Sequence, residues 1–263
     1  MGEIEAGVKA NYTARSFLDA VLDAVRAAGG DPDALRPEDL VPLDSLHVGG
    51  ARATSDLVAG LDLAPGMQVL DIGCGIGGPA RQIAQRYGVE VTGIDLTADL
   101  VAAAEELSRR AGVGGVRFLE ASALALPFED ASFDRALLIH VGMNIADKAT
   151  LFAEAARVLR PGGLFAVYEE MRVGPGDLPF PMPWAGVPEI SFVETPHIYQ
   201  DLAQAAGFLP ITQRERGPFG IASVEGQIAA GQTGNMPPDR RANLLAALKA
   251  GIIAPVELIL RRP

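Results

Sequence analysis

Two aspartates and three glycines at a particular spacing form the strongest candidate binding site in this sequence. Asp71 ends one apolar run, Gly73, Gly75 and Gly78 follow it, and Asp95 ends the next apolar run. A strand that leads through a glycine-rich turn into a helix is how an α/β sheet forms an adenosine-binding crevice. An acid about 20 residues beyond such a loop accepts hydrogen bonds from the ribose hydroxyls. The spacing therefore predicts a nucleoside site, and it fits dinucleotides and other adenosine-containing ligands alike.

Asp71 separates these ligands by their charge. A pyrophosphate would bind the amides and the positive end of the helix that opens at Pro79, close to this carboxylate. Two like unit charges about 4 Å apart at an effective dielectric near 20 repel each other by roughly 4 kcal/mol. A ligand with adenosine, no phosphate and a cationic end turns that penalty into attraction, and S-adenosylmethionine has this description. The sequence therefore predicts S-adenosylmethionine as the cofactor and disfavours an NAD-dependent oxidoreductase.

Composition narrows the classes of function further. The chain has 263 residues, of which 49% are hydrophobic, and a formal net charge of −11. Because no long basic run offsets that charge, we expect a small-molecule substrate and no nucleic-acid partner. No apolar stretch is long enough for a membrane span, and a single cysteine without a signal peptide predicts a cytoplasmic protein. Three scattered histidines and that cysteine predict no metal site, and a homo-oligomer is left open.

Short apolar runs alternate with helical patterns from Gln68 onward, which predicts a parallel sheet with helices on both faces. Strands are predicted over residues 68–72, 90–95, 116–120, 133–140, 164–169, 208–214 and 256–260. Helices are predicted over residues 13–28, 51–61, 79–87, 98–111, 148–159, 196–206 and 239–250. The Pro-rich segment near 174–194 contains Trp184, the only tryptophan, and is expected to form a loop or lid. The expected organisation is an N-terminal helical cap over residues 1–50 and a main domain over 51–263.

Additional motifs make the chain resemble the class I S-adenosylmethionine-dependent methyltransferases. These motifs are the glycine loop 71–78, Asp95, Leu126-Pro127-Phe128, Phe133-Asp134 and Leu159-Arg160-Pro161-Gly162-Gly163. The resemblance implies a Rossmann-like α/β fold with a seven-stranded, mostly parallel sheet whose antiparallel last strand is inserted beside the fifth. His47-Val48-Gly49-Gly50 and Met143-Asn144-Ile145-Ala146-Asp147-Lys148 look like the small-molecule branch, which includes sarcosine and dimethylglycine, tocopherol, sterol and bacterial natural-product methyltransferases.

Ser122 departs from the pattern of that family, which often has an acid here to accept from the adenine amino group. The serine hydroxyl can still accept this hydrogen bond, and the amide of Ala123 lies next to it in the chain. The expected cofactor-binding residues are Asp71, Gly73, Gly75, Asp95, Leu96, Ser122, Ala123 and His140.

His140 and Glu170 are the candidate catalytic residues. His140 ends the fourth predicted strand, where it either deprotonates the substrate or only packs on the cofactor. Glu170 follows the fifth strand and is favoured over Glu169, because Glu169 would continue the packed face of Val167. The alternative for the two glutamates is a solvated pair at a strand end. Alignment alone supplies about 7–11 kcal/mol of such a barrier, so a base is optional.

Aromatic residues are candidates for a hydrophobic substrate chamber or for contacts with a cationic group. The expected substrate-binding residues are Tyr12, His47, Glu170, Trp184 and Phe192. The sequence thus predicts a metal-independent methyltransferase that transfers a methyl group to carbon or nitrogen of a small molecule in bacterial specialised metabolism. The alternative is a cyclase or binding protein of the same fold that uses the cofactor without methyl transfer.

Overall fold

A computed structural model describes residues 3–13, 17–45, 47–230 and 236–263. Its centre is a single sheet of strands that we number in chain order. They are β1 Gln68–Ile72, β2 Glu90–Asp95, β3 Val116–Glu120, β4 Phe133–Ile139, β5 Leu159–Arg172, β6 Leu209–Glu215 and β7 Ile253–Arg261. Their spatial order is β3-β2-β1-β4-β5-β7-β6. β1 to β5 pair in parallel, whereas β7 runs antiparallel to both β5 and β6, so the predicted inserted last strand is confirmed.

Helices cover the sheet and close its carboxyl edge. They are α1 Glu3–Thr13, α2 Phe17–Ala27, α3 Pro37–Leu40, α4 Gly50–Val58, α5 Gly78–Tyr87, α6 Ala98–Arg110, α7 Lys148–Val158, α8 Pro196–Ala205, α9 Gly217–Ala229 and α10 Pro238–Lys249. Short 3-10 turns lie at Ala59–Leu61, Gly142–Asn144 and Pro188–Ile190. Within the described residues, none of the helices is both long and apolar enough to cross a bilayer.

Alternate residues of the central strands enter two separate cores. Leu138 and Val167 belong to the cluster under α7 and α8, whereas Leu137 and Tyr168 belong to the cluster under α4 and α5. This follows from the period of two along a strand, which directs neighbouring side chains to opposite faces. A sheet buried on both faces explains why its strands are almost continuously apolar in sequence.

The bounds of most predicted elements agree with the structure, and the differences have local causes. β5 begins at Leu159, because Arg160-Pro161-Gly162-Gly163 forms an irregularity within the strand instead of a turn before it. The helix predicted over 13–28 is observed as α2, with residues 14–16 outside the described part. α1, α3 and α9 were not predicted. α9 contains Gly217, Gly220 and Gly226, and glycine disfavours helix interiors. The proposed division into a cap and a main domain stays a prediction.

Candidate cofactor and substrate site

A cavity of about 1160 Å³ opens at the carboxyl ends of β1, β2 and β4. Single small-molecule sites occupy roughly 300–1,000 Å³, so this space is large enough for a cofactor together with a second ligand. It is also lined by α1, by the segment around Trp184 and by parts of α9 and α10. All the predicted site residues line it except Glu170 and Phe192.

The glycine loop forms one wall of the cavity. Gly73 and Gly75 have φ angles of +77° and +53°, which lie in the left-handed region that favours glycine. A Cβ atom on Gly73 would also collide with the side chain of Val141 in the loop after β4. The amides of Gly73 and Cys74 both donate to the carbonyl of Ile94 at 2.8 Å, which fixes the loop against β2. The glycines therefore let the backbone pass close to whatever occupies the cavity.

Asp95 is held between the glycine loop and the start of α6. Its Oδ2 accepts from the Gly75 amide at 3.0 Å, and its Oδ1 accepts from the Thr97 amide at 2.9 Å. Burial raises the pKa of Asp95 above its usual range, although these amide hydrogen bonds act in the opposite direction. Each carboxylate oxygen keeps a further lone pair, so both can accept hydrogen bonds from a diol.

Asp71 is a buried carboxylate in this wall, and its charged form is destabilised there. It is 1% exposed, and its Oδ2 has no hydrogen-bond partner among the described residues. Burial and the charge of Asp95 raise the pKa of Asp71 to about 7. A buried carboxylate without a partner is costly, and a cation bound beside it would offset that cost. The site therefore favours a cationic ligand.

His140 lies at the end of β4 with a φ angle of +56°, and its amide donates to the Tyr168 carbonyl at 2.8 Å. Its ring is 5.9 Å from that of His47 and 5.1 Å from that of Tyr168, measured between centroids. Burial and the neighbouring His47 hold the pKa of His140 well below its usual range, and burial lowers that of His47 to about 4. Both imidazoles are therefore neutral at neutral pH. The Nε2 of His140 has no partner among the described residues.

The two glutamates of β5 face opposite cores. The Oε1 of Glu169 accepts from the amides of Val141 and Gly142, each at 2.9 Å. Glu170 is buried on the other face, neither of its oxygens has a hydrogen-bond partner in the described chain, and burial with the charge of Glu169 raises its pKa to about 8. The alternative of a solvated pair is wrong, because both side chains are at most 1% exposed. Glu170 lies in β5 and does not line the cavity, and its catalytic role stays a prediction.

Trp184, Tyr12 and Asn144 connect the segment after β5 to α1 and to the loop after β4. The hydroxyl of Tyr12 donates to Asn144 Oδ1 at 3.1 Å, and Asn144 Nδ2 donates to the Trp184 carbonyl at 2.8 Å. Trp184 is only 3% exposed, and its Nε1 donates to Ser191 Oγ at 2.9 Å. Phe192 does not line the cavity. Its amide donates to the Met143 carbonyl at 2.7 Å, so it supports the loop that carries Asn144.

Comparisons with known proteins agree with this geometry. Residues 70–167 match the protein family described as a methyltransferase domain. Botryococcene C-methyltransferase from Botryococcus braunii is 35% identical over 157 residues, which cover 59% of this chain and 41% of that protein. O-methyltransferase cnsE from Penicillium expansum is 35% identical over 173 residues, which cover 65% of this chain and 62% of that protein. The chain spans between 32% and 41% of the length of the first four curated relatives it matches.

Solved structures extend the likeness over nearly the whole chain. The crystal structure of the 4+2 cyclase SpnF has a TM-score of 0.71 at 25% sequence identity, and the match covers 94% of each chain. Geranyl diphosphate C-methyltransferase from Streptomyces coelicolor A3(2) has a TM-score of 0.74 at 18% identity, over 100% of this chain and 98% of that one. Together these likenesses support a class I S-adenosylmethionine-dependent methyltransferase, and the solved structures show its fold.

The cofactor of this methyltransferase family fits the described site. The unpartnered oxygen of Asp71 suits a ligand with an ammonium and a sulfonium, and the two held oxygens of Asp95 suit a ribose diol. The neutral ring of His140 adds no positive charge that would repel the sulfonium. S-adenosylmethionine is therefore the ligand that these residues match, as the sequence predicts.

Sequence reasoning missed several residues that line the cavity. Glu5 of α1 accepts from Ser122 Oγ at 3.0 Å, so a carboxylate from another element lies where the family often has an acid. Arg240 and Arg241 of α10 also line the cavity. No local motif marks these three positions, because each lies in a helix whose apolar pattern is weak. These residues line the cavity only because α1 and α10 pack against the rest of the fold.

Proposed function

We propose that this chain is an S-adenosylmethionine-dependent methyltransferase that methylates a carbon or nitrogen atom of a small, largely apolar molecule in bacterial specialised metabolism. One observation carries the proposal: the acidic cofactor wall and an apolar wall belong to the same cavity. Asp71 and Asp95 lie on the first wall, and Trp184, Val224 and Leu244 lie on the second. The single cysteine supports a cytoplasmic site of action.

When bound, S-adenosylmethionine would supply an electrophilic methyl group to a nucleophilic atom of the acceptor, and its sulfur would keep the electron pair of the carbon–sulfur bond that breaks. Asp71 and Asp95 hold the cofactor, while Glu169 fixes the amides of Val141 and Gly142 next to His140. Such alignment can supply about 7–11 kcal/mol of the barrier. The segment around Trp184 and α1 exclude water from the reacting atoms.

Two residues are proposed to take a proton where the acceptor must lose one. His140 lines the cavity as a neutral imidazole with a buried, unpartnered Nε2, which supports a role as proton acceptor or as a packing surface for the cofactor. Glu170 holds a proton at neutral pH because of its burial, so it would first have to lose that proton before acting as a base. We therefore propose His140 as the base in preference to Glu170.

Calorimetric titration with S-adenosylmethionine, S-adenosylhomocysteine and NAD tests the cofactor assignment. We expect both adenosyl ligands to bind and NAD to bind far more weakly, because its pyrophosphate would oppose Asp71. Asp95→Ala should weaken binding of both adenosyl ligands. Tighter binding of NAD than of S-adenosylmethionine would overturn the proposal.

A second candidate function is a cyclisation that uses the same fold without methyl transfer. It is supported by the likeness to the 4+2 cyclase SpnF, which covers 94% of both chains at 25% identity. The two functions differ in the mass of the product. A gain of one methylene per substrate molecule indicates methyl transfer, whereas a product isomeric with the substrate indicates cyclisation.

A further inference from the structure

The charged residues that line the cavity are segregated by sign. Carboxylates line the wall made by α1, by the segment before α4 and by the carboxyl ends of the β-strands with the loops that follow them: Glu5, Asp44, Asp71, Asp95 and Asp147. The arginines that line it are Arg240 and Arg241, both on α10, and no described residue of α9 or α10 contributes a carboxylate to the lining. A cationic cofactor matches the first wall. The second wall has the opposite charge and so suits a different ligand.

Arg240 is held in place by oxygens that carry no charge. Its Nη1 donates to Asn11 Oδ1 at 3.0 Å and to the carbonyls of Met182 and Pro183 at 3.1 and 3.2 Å. These acceptors belong to α1 and to the segment after β5, so the guanidinium lies where both meet α10. Neutral acceptors orient a guanidinium without cancelling its charge. A guanidinium held in this way is prepared to bind an anion through its other nitrogens.

Arg241 reinforces the positive charge of this wall. Only 8% of this residue is exposed, although it lines the cavity and arginine stays protonated at any physiological pH. Arg241 also interacts within the chain, so an anion would bind beside that interaction. Consecutive arginines at the first turns of α10 place two forked donors near one another. The positive end of the helix adds to their attraction for an anion.

The rest of the lining near the two arginines is largely apolar. It includes Met143, Trp184, Val224, Met236 and Leu244, of which Val224 and Leu244 lie on α9 and α10. Tyr12 also lines the cavity, where burial and the charge of Asp95 raise its pKa and the charge of Arg240 lowers it, so both charged walls act on this hydroxyl. A ligand that spans from the cofactor to α10 would therefore present apolar surface along most of its length and negative charge at its far end.

We propose that the acceptor substrate is a largely apolar molecule that carries an oxyanion, a carboxylate or a phosphate, and that Arg240 and Arg241 bind this group. The inference rests on the proposed function, since it assigns the acceptor of the same site. It adds a substrate class and two specificity-determining residues. A neutral hydrocarbon or a cationic amine would bring no anion to Arg240, whose acceptors among the described residues are all neutral oxygens.

Three probes of equal chain length test this proposal: octanoate, octyl phosphate and 1-octanol. Calorimetry would measure the binding of each to the wild-type protein, with and without S-adenosylhomocysteine. We expect at least one anionic probe to bind about tenfold or more tightly than octanol, and its affinity to fall as salt is added. A comparison of octanoate with octyl phosphate identifies the anion that the site prefers. Equal binding of all three probes would overturn the proposal.

Substitution of the arginines separates recognition of the anion from support of the fold. In Arg240→Gln and in Arg241→Gln, we expect the anionic probe to bind about tenfold or more weakly while octanol is unchanged. Arg240→Lys should retain part of the affinity, because it keeps the charge and loses the fork. Arg109→Gln, at an exposed pair with Glu106 on α6, is the matched control and should change nothing.

The outcomes also separate this proposal from the proposed function. If both variants lost affinity for octanol as much as for the anionic probe, the arginines would have a structural role. That result would overturn this inference but not the proposed function. Absence of S-adenosylhomocysteine binding would overturn the proposed function, whereas the anion preference of the wild-type cavity is still measured without that ligand.

Discussion

The carboxylate of Glu169 accepts a hydrogen bond from the amide of Gly142 at 2.9 Å, which connects the end of β5 to the loop that follows β4. The same oxygen accepts from the amide of Val141. Burial raises the pKa of Glu169 to about 7, while these amides favour its charged form. The loop next to His140 is therefore positioned by a side chain that does not itself line the cavity.

Glu169→Ala should lower turnover more than it lowers cofactor affinity. It leaves two amides without their shared acceptor, and an unsatisfied buried donor costs about 1–3 kcal/mol. Glu169→Gln keeps an acceptor oxygen and should recover much of the stability. Steady-state kinetics, cofactor titration and thermal unfolding would measure these effects. Equal losses of turnover in the two variants would argue against a positioning role for the carbonyl oxygen.

Asp71 should make the affinity for S-adenosylmethionine depend on pH. Its pKa in the ligand-free protein is raised to about 7, and the cationic ligand binds the ionised form. The affinity should therefore rise as pH increases through about 7 and level off above it. Asp71→Asn should weaken binding and remove this dependence, whereas Asp23→Asn on exposed α2 serves as the control. Calorimetry from acid to mildly basic pH would check the prediction, and a flat wild-type profile would contradict it.

Glu170 should destabilise the ligand-free protein as pH rises. Its pKa is about 8 in the folded chain against an ordinary value of 4.5, so between these values the folded state holds a proton that the unfolded state has lost. The free energy of unfolding then decreases with rising pH across that window. Relative to wild type, Glu170→Gln should become more stable with rising pH, by on the order of 1–3 kcal/mol near pH 8.

Denaturant unfolding at pH 5 and pH 8 measures this difference, with the exposed Glu129→Gln as the control. An identical pH dependence in Glu170→Gln and wild type would refute the assignment. Turnover supplies a separate test of its proposed catalytic role. Glu170→Ala is expected to lose turnover and retain cofactor binding, and full turnover in this variant would exclude Glu170 as a base.

Glu5 should contribute to recognition of the adenine ring. It lies beside Ser122, whose hydroxyl donates to it, and a carboxylate here can accept from an exocyclic amine. Glu5→Ala should lower the affinity for S-adenosylhomocysteine about fivefold, as expected for the loss of one hydrogen bond. The same substitution should lower the affinity for S-inosylhomocysteine less, because the inosine analogue has no amino group to donate to Glu5. Ser122→Ala should have the smaller effect, and equal losses for both ligands in Glu5→Ala would contradict the prediction.

The cofactor wall could be predicted because its residues lie close together in the sequence. Asp71, Gly73 and Gly75 lie in one strand–turn–helix unit, and Asp95 ends the next strand, so the parallel sheet necessarily brings them together. His140 was placed at the same edge by the same rule. The sequence predicted the sheet and its carboxyl edge, which the structure confirms, and a cationic ligand at that edge, which stays a prediction.

The substrate wall depended on tertiary packing. Asn11 and Arg240 are separated by 229 positions yet form a hydrogen bond of 3.0 Å, and no spacing rule relates them. Only the burial of α1 and α10 against the sheet places Glu5 beside Ser122 and two arginines in the cavity. Likewise, the alternation along β5 predicted that Glu169 and Glu170 face opposite sides, but only packing decided that both are buried. Local periodicity thus determined where a strand ends, whereas the side chains that meet there were decided by contacts between distant elements.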